Sequence, residues 1–272
     1  MKSFPSSRLI LGVLVFGVTT VVHAETEIQV QSWPSSAEGF AQFNAELTAR
    51  DEENLLNFPG AKLLQTEGVA AGQESMIADG TAGVWVGTGR MHLPDGKATR
   101  IVYYLGRPRL IREIRVLTSN SDSRTNQDYE IRLARSVANS KSWSNFPAEP
   151  TFTSGNKVIG PNQGPCISSI VNAKGSGNIS EERYDLIEFL VNPTYRANAG
   201  SPARTNLAKR GWCTLVELQV LADPEDPQLF DSPAGRQAWM AEIERRRKEA
   251  EAARARAEEE ALACPHFLYQ GL

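Results

Sequence analysis

The sequence predicts a mainly β protein: antiparallel strands of a sandwich or barrel, with a helix before them and a long charged helix after. Three observations carry this. Between Ala61 and Ala222 apolar residues recur with period two, as in half-buried strands. Before that stretch the period is helical, with Phe40, Phe43 and Leu47 on one face. After Asp223 the Gly and Pro that punctuate the middle of the chain nearly vanish, and Glu, Arg and Ala take over.

In chain order, "MKSFPSSRLILGVLVFGVTTVVHA" (residues 1–24) has a basic start at Lys2 and Arg8, an apolar run from Leu9 to Val22 and a small-residue ending. That is the pattern of an export signal cleaved before Glu25, the apolar run being shorter than the roughly 20 residues of a membrane span. Secreted or periplasmic localisation follows, with no membrane span after cleavage. Without Lys2 and Arg8 the mature chain sits near −5, from 29 basic and 32 acidic residues in the whole sequence. A mildly acidic chain excludes general nucleic-acid binding, which relies on clustered Lys and Arg.

Residues 25–60 are expected to form an N-terminal helical segment. Ser35 at the N-cap and Glu38 at N3 read as a capping box, and the helix would run from Ser36 to Asn57 until Pro59-Gly60 stops it. The sandwich then spans 61–222. Ile101, Tyr103 and Leu105 share one face, as do Leu110, Ile114 and Val116; Tyr129, Ile131 and Leu133; Ile187, Phe189 and Val191; and Val216, Leu218 and Val220. The Gly-, Pro-, Asn- and Ser-rich segment Ser144–Glu182 leaves room for one or two short strands, around Ile159 and Ile167. Residues 223–231 read as a Pro-rich linker. A helix over 232–263 follows, capped by Ser232 with Pro233 at its first position, and 264–272 form a tail. Trp239, Met240 and Ile243 offer an apolar patch that can dock on the sandwich. Beyond them the helix is either a charge-laced solvated one or an alanine-seamed coiled coil.

Cys166, Cys213 and Cys264 are the cysteines. Export makes one disulfide reasonable, and Cys166–Cys213 is the favoured pair because both lie in the strand-rich region; three reduced thiols are the competing reading. Catalysis has little to work with. After cleavage only His92 and His266 remain, no nucleophile elbow is present, no His/Cys set has zinc spacing, and no glycine loop is built for phosphate. The chain is therefore expected not to be an enzyme.

The order of "IADGTAGVW" (77–85), "RIVYYLGRPRLIREIRVLTSN" (100–120), "DYEIRLARSVANSKSW" (128–143), "RYDLIEFLV" and "CTLVELQVLAD" resembles the discoidin, or coagulation-factor C-type, family of galactose-binding-like domains. The likeness covers roughly residues 62–222. It implies a jelly-roll-like antiparallel β-sandwich that binds a glycan, a glycoconjugate or another cell-surface component through loops at one end. On that reading the ligand candidates are Arg90 and His92; Asn120, Arg124 and Asn126; Trp143; and Tyr195, Arg196 and Asn198, since Asn and Arg supply directional hydrogen bonds to hydroxyls. Trp85 is assigned to the core. The resemblance also admits a structural calcium ion near Asp79, Thr81 and Glu217, against the plainer reading of an Asx turn at Asp79. The expected function is that of a secreted, non-catalytic binding module. The alternative is an envelope structural or interaction protein assembling into a homo-oligomer through its C-terminal helix.

Overall fold

The computed structural model describes residues 25–82, 91–92, 98–119, 127–136, 146–154, 164–192 and 214–263. Strand β1 (Thr26–Ser32) opens the chain. Helix α1 (Ala37–Thr48) follows, then 3-10 turns at Asp51–Glu53 and Leu55–Asn57. Ten further strands come next: β2 (Ala61–Glu67), β3 (Met91–His92), β4 (Thr99–Arg109), β5 (Ile111–Thr118), β6 (Tyr129–Ala134), β7 (Phe152–Thr153), β8 (Cys166–Asn172), β9 (Tyr184–Val191), β10 (Thr214–Leu215) and β11 (Glu217–Ala222). Helix α2 (Pro233–Ala263) ends the described chain.

The strands form two antiparallel sheets, β1-β8-β5-β11 and β2-β4-β9-β6-β7, with β10 and β3 paired separately. The sheets face each other across one core. Ile101, Tyr103 and Leu105, Tyr129, Ile131 and Leu133, and Ile187, Phe189 and Val191 fill it from the five-stranded sheet; Ile114, Val116, Ile170, Leu218 and Val220 fill it from the four-stranded one. Each fully buried large side chain of this kind stabilises the fold by roughly 1.5–3 kcal/mol. On the outer face of the five-stranded sheet, Arg100 and Arg132 both hold Glu188, at 2.5 and 3.1 Å. The period-two reading of these strands therefore describes a sandwich, not a barrel.

Two strands depart from simple alternation. Glu113 lies opposite Leu221 and Ile111 opposite Ala222, so the pairing skips Arg112. That irregularity puts Ile111 rather than Leu110 in the core beside Ile114. A second break separates β10 from β11 at Val216, whose N–H donates to Leu117 O (2.8 Å). Val216 thereby leaves the face of Leu218 and Val220 and joins Phe40, Phe43, Leu47, Leu117 and Ile167 under α1, on the outer side of the four-stranded sheet.

The N-terminal segment differs most from expectation. Thr26–Ser32, placed in the N-terminal helical segment ahead of its helix with no strand expected, is β1 and pairs along β8 from Thr26↔Asn172 to Ser32↔Cys166. The cap of α1 is Ser36, one residue later than Ser35: its backbone is extended and its Oγ accepts from Gly39 N (3.1 Å). The helix stops at Thr48, well short of Asn57. Three consecutive acids, Asp51 to Glu53, would oppose the helix dipole at that end. Asn54 then ties the chain to the sheet edge, its Oδ1 accepting from Val220 N (3.0 Å) and Leu56 N (3.2 Å). Strand β8 is also more than a short accessory: it is seven residues long and pairs with both β1 and β5. Ile159 lies outside the described residues.

Residues 223–231, expected to be a linker, are packed down. Asp226 and Leu229 are buried, and Arg183 grips Asp226 with both Nη atoms (2.7 and 2.6 Å). Arg107 donates to Leu229 O (3.0 Å), and Arg109 donates to the same carbonyl. Burial and the neighbouring Arg107 bring the Arg109 guanidinium down to about 10. Trp239 and Ile243 dock as expected: the Trp239 ring lies 4.7 Å from Phe58, and its Nε1–H donates to Glu52 O (3.1 Å). Met240, expected in the same patch, faces solvent at 45% exposure. Among the described residues no helix is long and apolar enough to cross a membrane.

Candidate functional site

Strand register decides which connections can meet. Thr99, the first residue of β4, lies opposite Val191, the last of β9, and Val191 also faces Tyr129 at the start of β6. In the other sheet Thr118 ends β5 opposite Cys166, where β8 begins. Thr214 of β10 pairs with His92, and its hydroxyl donates to Ser119 O (3.0 Å). All these strand ends lie at one end of the sandwich. The chain enters or leaves the described structure there at His92, Ala98, Ser119, Gln127, Asn192 and Thr214.

Beneath that end is a buried polar floor. The Gln127 side chain bridges the sheets, its Nε2 donating to Val116 O (2.9 Å) and Thr118 Oγ1 (3.1 Å), while Ser168 Oγ donates to its Oε1. The Ser168 and Tyr129 hydroxyls share a hydrogen bond of 3.0 Å. Burial pushes the Tyr129 phenol up to about 12, only partly offset by Ser168, so it stays a neutral donor. Thr99 Oγ1 and Ser119 Oγ are buried at the same end with no hydrogen-bond partner among the described residues.

Asn120, Arg124 and Asn126 fall in the connection between Ser119 and Gln127, and Tyr195, Arg196 and Asn198 in that between Asn192 and Thr214. Arg90 immediately precedes β3. These seven residues lie outside the described residues, as does the side chain of His92; their flanking anchors are what the register brings together. Trp143 also lies outside them, in 137–145. Its anchor is at the opposite end, where Ser136 N donates to Asp185 Oδ1 (2.7 Å) beside the start of β9. Trp85 and Cys213 are outside the described residues too. Cys166 is a buried free thiol, pushed up to about 12 by burial. Gln127 and Ser168 carry no signal of such a floor in the sequence, because a lone polar residue at a strand end has no periodicity to mark it, and Tyr129 reads there only as a core residue.

Asp79, Thr81 and Glu217 do come together, as a turn pinned to a strand. Thr81 N donates to Asp79 Oδ1 (3.2 Å), which is the Asx turn. Gly80 N donates to Glu217 Oε2 (3.0 Å), and Gln219 Nε2 donates to Glu217 Oε1 (3.1 Å). Gly80 has φ of +76°, and a Cβ there would meet the Asp51 carboxylate at 2.7 Å. Both oxygens of Glu217 accept from N–H groups, so its carboxylate serves here as the anchor of the turn. Among the described residues no group of three or more His, Cys, Asp or Glu is arranged to hold a metal ion.

No family model matches the chain, and no curated protein matches it. Among solved structures the likenesses are low-scoring. The chain is similar to CBM32-1 from a family 31 glycoside hydrolase of Clostridium perfringens, with 10% identity over 62% of this chain and 96% of that one and a TM-score of 0.39. A second Clostridium perfringens module, solved in complex with GalNAc-β-1,3-galactose, shares 14% identity over 60% and 96%, with a TM-score of 0.36. A fucolectin from striped bass serum shares 14% over 62% and 48%, with a TM-score of 0.35. At TM-scores this low the likenesses add nothing to what the chain's own topology shows.

Proposed function

We propose that this is an exported, non-catalytic binding module that takes a glycan or glycoconjugate on the rim bearing Arg90, His92, Asn120, Arg124, Asn126, Tyr195, Arg196 and Asn198. The observation that supports it is the meeting of the strand ends flanking those residues at one end of the sandwich, over a buried floor of hydroxyls and an amide. Sugar hydroxyls both donate and accept, and Asn and Arg side chains match them. Trp143 is left out of this proposal because Ser136, from which its connection leaves β6, lies at the other end. Assembly through α2 draws less support: Arg245 and Arg246 pair with Glu242 and Glu249 along the helix itself instead of flanking an apolar seam.

The test is a glycan array with the mature chain, followed by calorimetry on any glycan retained. Arg124→Ala with Asn126→Ala is expected to weaken binding at least about tenfold with an unchanged far-UV spectrum. No retention of any glycan by folded protein would overturn the reading.

A further inference from the structure

Among the described residues the two main sheets have four edges, at β1, β11, β2 and β7. An edge strand presents unpaired N–H and C=O groups, and proteins blunt it with a cover, a bulge, a charge or sheer shortness. Three of these edges are blunted. At β11 the Asn54 side chain accepts from Val220 N (3.0 Å) and donates to Leu218 O (3.4 Å), and Asn54 itself bridges to Leu221. In β2 the pairing with β4 skips Leu64, and Lys62 stands exposed. Strand β7 is only two residues long. Strand β1 has none of these devices. Its seven residues, TEIQVQS, contain no Pro, Lys or Arg and pair with β8 in unbroken register.

The hydrogen bonds show which way its backbone points. Ala173 N donates to Glu25 O (2.8 Å) and Trp33 N to Pro165 O (3.0 Å), so the odd-numbered residues direct their backbone groups at β8. Thr26, Ile28, Val30 and Ser32 therefore turn their N–H and C=O groups outward, where among the described residues no strand pairs with them. Val30, on the same stretch, is 47% exposed.

We propose that the β1 edge is where a second copy of this chain docks, antiparallel, about a two-fold axis through Gln29. The strand's own symmetry fixes that occupant. In this register Ile28 of one copy lies opposite Val30 of the other, and Thr26 opposite Ser32, so every outward backbone group pairs at once. Moving the axis to Ile28 or to Val30 strands Ser32 or Thr26. Glu27, the one charge in the strand, meets the Gln31 amide of the other copy instead of a second carboxylate. Val30 gains Ile28 as a cross-strand neighbour. On the rim reading above, the pairing also sets how the dimer binds. Ser32 lies opposite Cys166, which faces Thr118 at the rim end, so the two copies carry their rims at opposite ends of the joined sheet and can engage two separate glycan surfaces.

A ladder of seven residues is a small interface, and a Kd on the order of 10–100 μM is expected. Sedimentation velocity of the mature chain, carried up to about 1 mM, should therefore show a monomer–dimer equilibrium. Val30→Pro removes an outward N–H that β8 does not use, and is expected to raise the Kd at least about tenfold. Val30→Lys leaves the backbone intact and is expected to do the same, which serves if the proline disturbs the fold. Oxidation reads the register. Gln29→Cys would meet its own copy at the axis with Cα atoms about 4.5 Å apart, within disulfide reach, and is expected to cross-link, whereas Gln31→Cys is not. A wild type that stays monomeric throughout, a dimer indifferent to both Val30 variants, or equal cross-linking of Gln29→Cys and Gln31→Cys would each overturn the proposal. Neither readout involves a glycan, so failure of this edge is distinguishable from failure of the rim.

Discussion

At one end of the sandwich Arg107, Arg109 and Arg183 fasten residues 226–231, and Phe58 and Trp239 pack α2 over the seam. At the other end the strands finish over a floor of neutral hydroxyls and one amide, and the connections between them carry the Asn and Arg residues of the rim. The first end directs charge-assisted bonds inward at the chain itself. The floor at the second end is made by Gln127, Tyr129 and Ser168, none of them charged.

The sharpest way to break that contrast is Trp239→Ala. Its indole is 3% exposed, contacts Phe58 and donates to Glu52 O, so removal empties a core position and deletes that hydrogen bond. The expected loss is about 3–5 kcal/mol in urea denaturation. Glycan affinity measured where the variant is still folded should be unchanged. A loss under about 1 kcal/mol would mean that α2 rests on the sandwich without sealing it.

Much of this architecture could be read in the residues, and the parts that could not share a physical cause. Tyr129, Ile131 and Leu133, like Ile187, Phe189 and Val191, alternate because one face of their strand meets the core and the other meets solvent. Strand β1 escaped notice because it is an edge strand with both faces largely open: Val30 is 47% exposed, and Glu and Gln fill the positions between its apolar residues. Leu110 and Val216 were assigned to the wrong face because irregularities at Arg112 and Val216 reverse the alternation, and no local residue preference announces them. Arg109, Arg183 and Asp226 look like surface charges in sequence; only the fold shows that they hold a segment more than forty residues away from Arg183 and more than a hundred from Arg109. The rim candidates are legible as polar connections between strands; the common location of the strand ends that flank them follows from pairing register, which is a long-range property.

Gln127→Ala tests the other end and should cost less, about 1–3 kcal/mol, because the loss is of hydrogen bonds more than of packing. It leaves Val116 O, Thr118 Oγ1 and the Ser168 hydroxyl without their shared partner. Unlike Trp239→Ala, it is expected to weaken glycan binding as well, since it loosens the strand ends from which the rim connections start. Stability lost with affinity intact would separate floor from rim and remove the support for the site.

The smallest effect expected is one of pH, and it belongs to the sealed end alone. Burial pushes the Asp226 carboxyl up, but the two hydrogen bonds from Arg183, the Gln228 N–H and the charges of Arg183 and Arg109 together hold it below the ordinary 3.8. A carboxyl depressed in the folded state contributes stability that is present in full above its unfolded value. That contribution is lost as pH falls from there through the folded value, so the window lies below about pH 4. Denaturation midpoints followed downward from about pH 5 should therefore fall more steeply for the wild type than for Asp226→Asn. Tyr129, which stays neutral throughout that range, makes no such contribution at the rim end. Acid should accordingly loosen the clamp on 226–231 before it disturbs the floor, and hydrogen exchange of the Leu229 and Tyr129 amides on the same sample would resolve the order. Simultaneous opening of both would show that the two ends do not act as separate units.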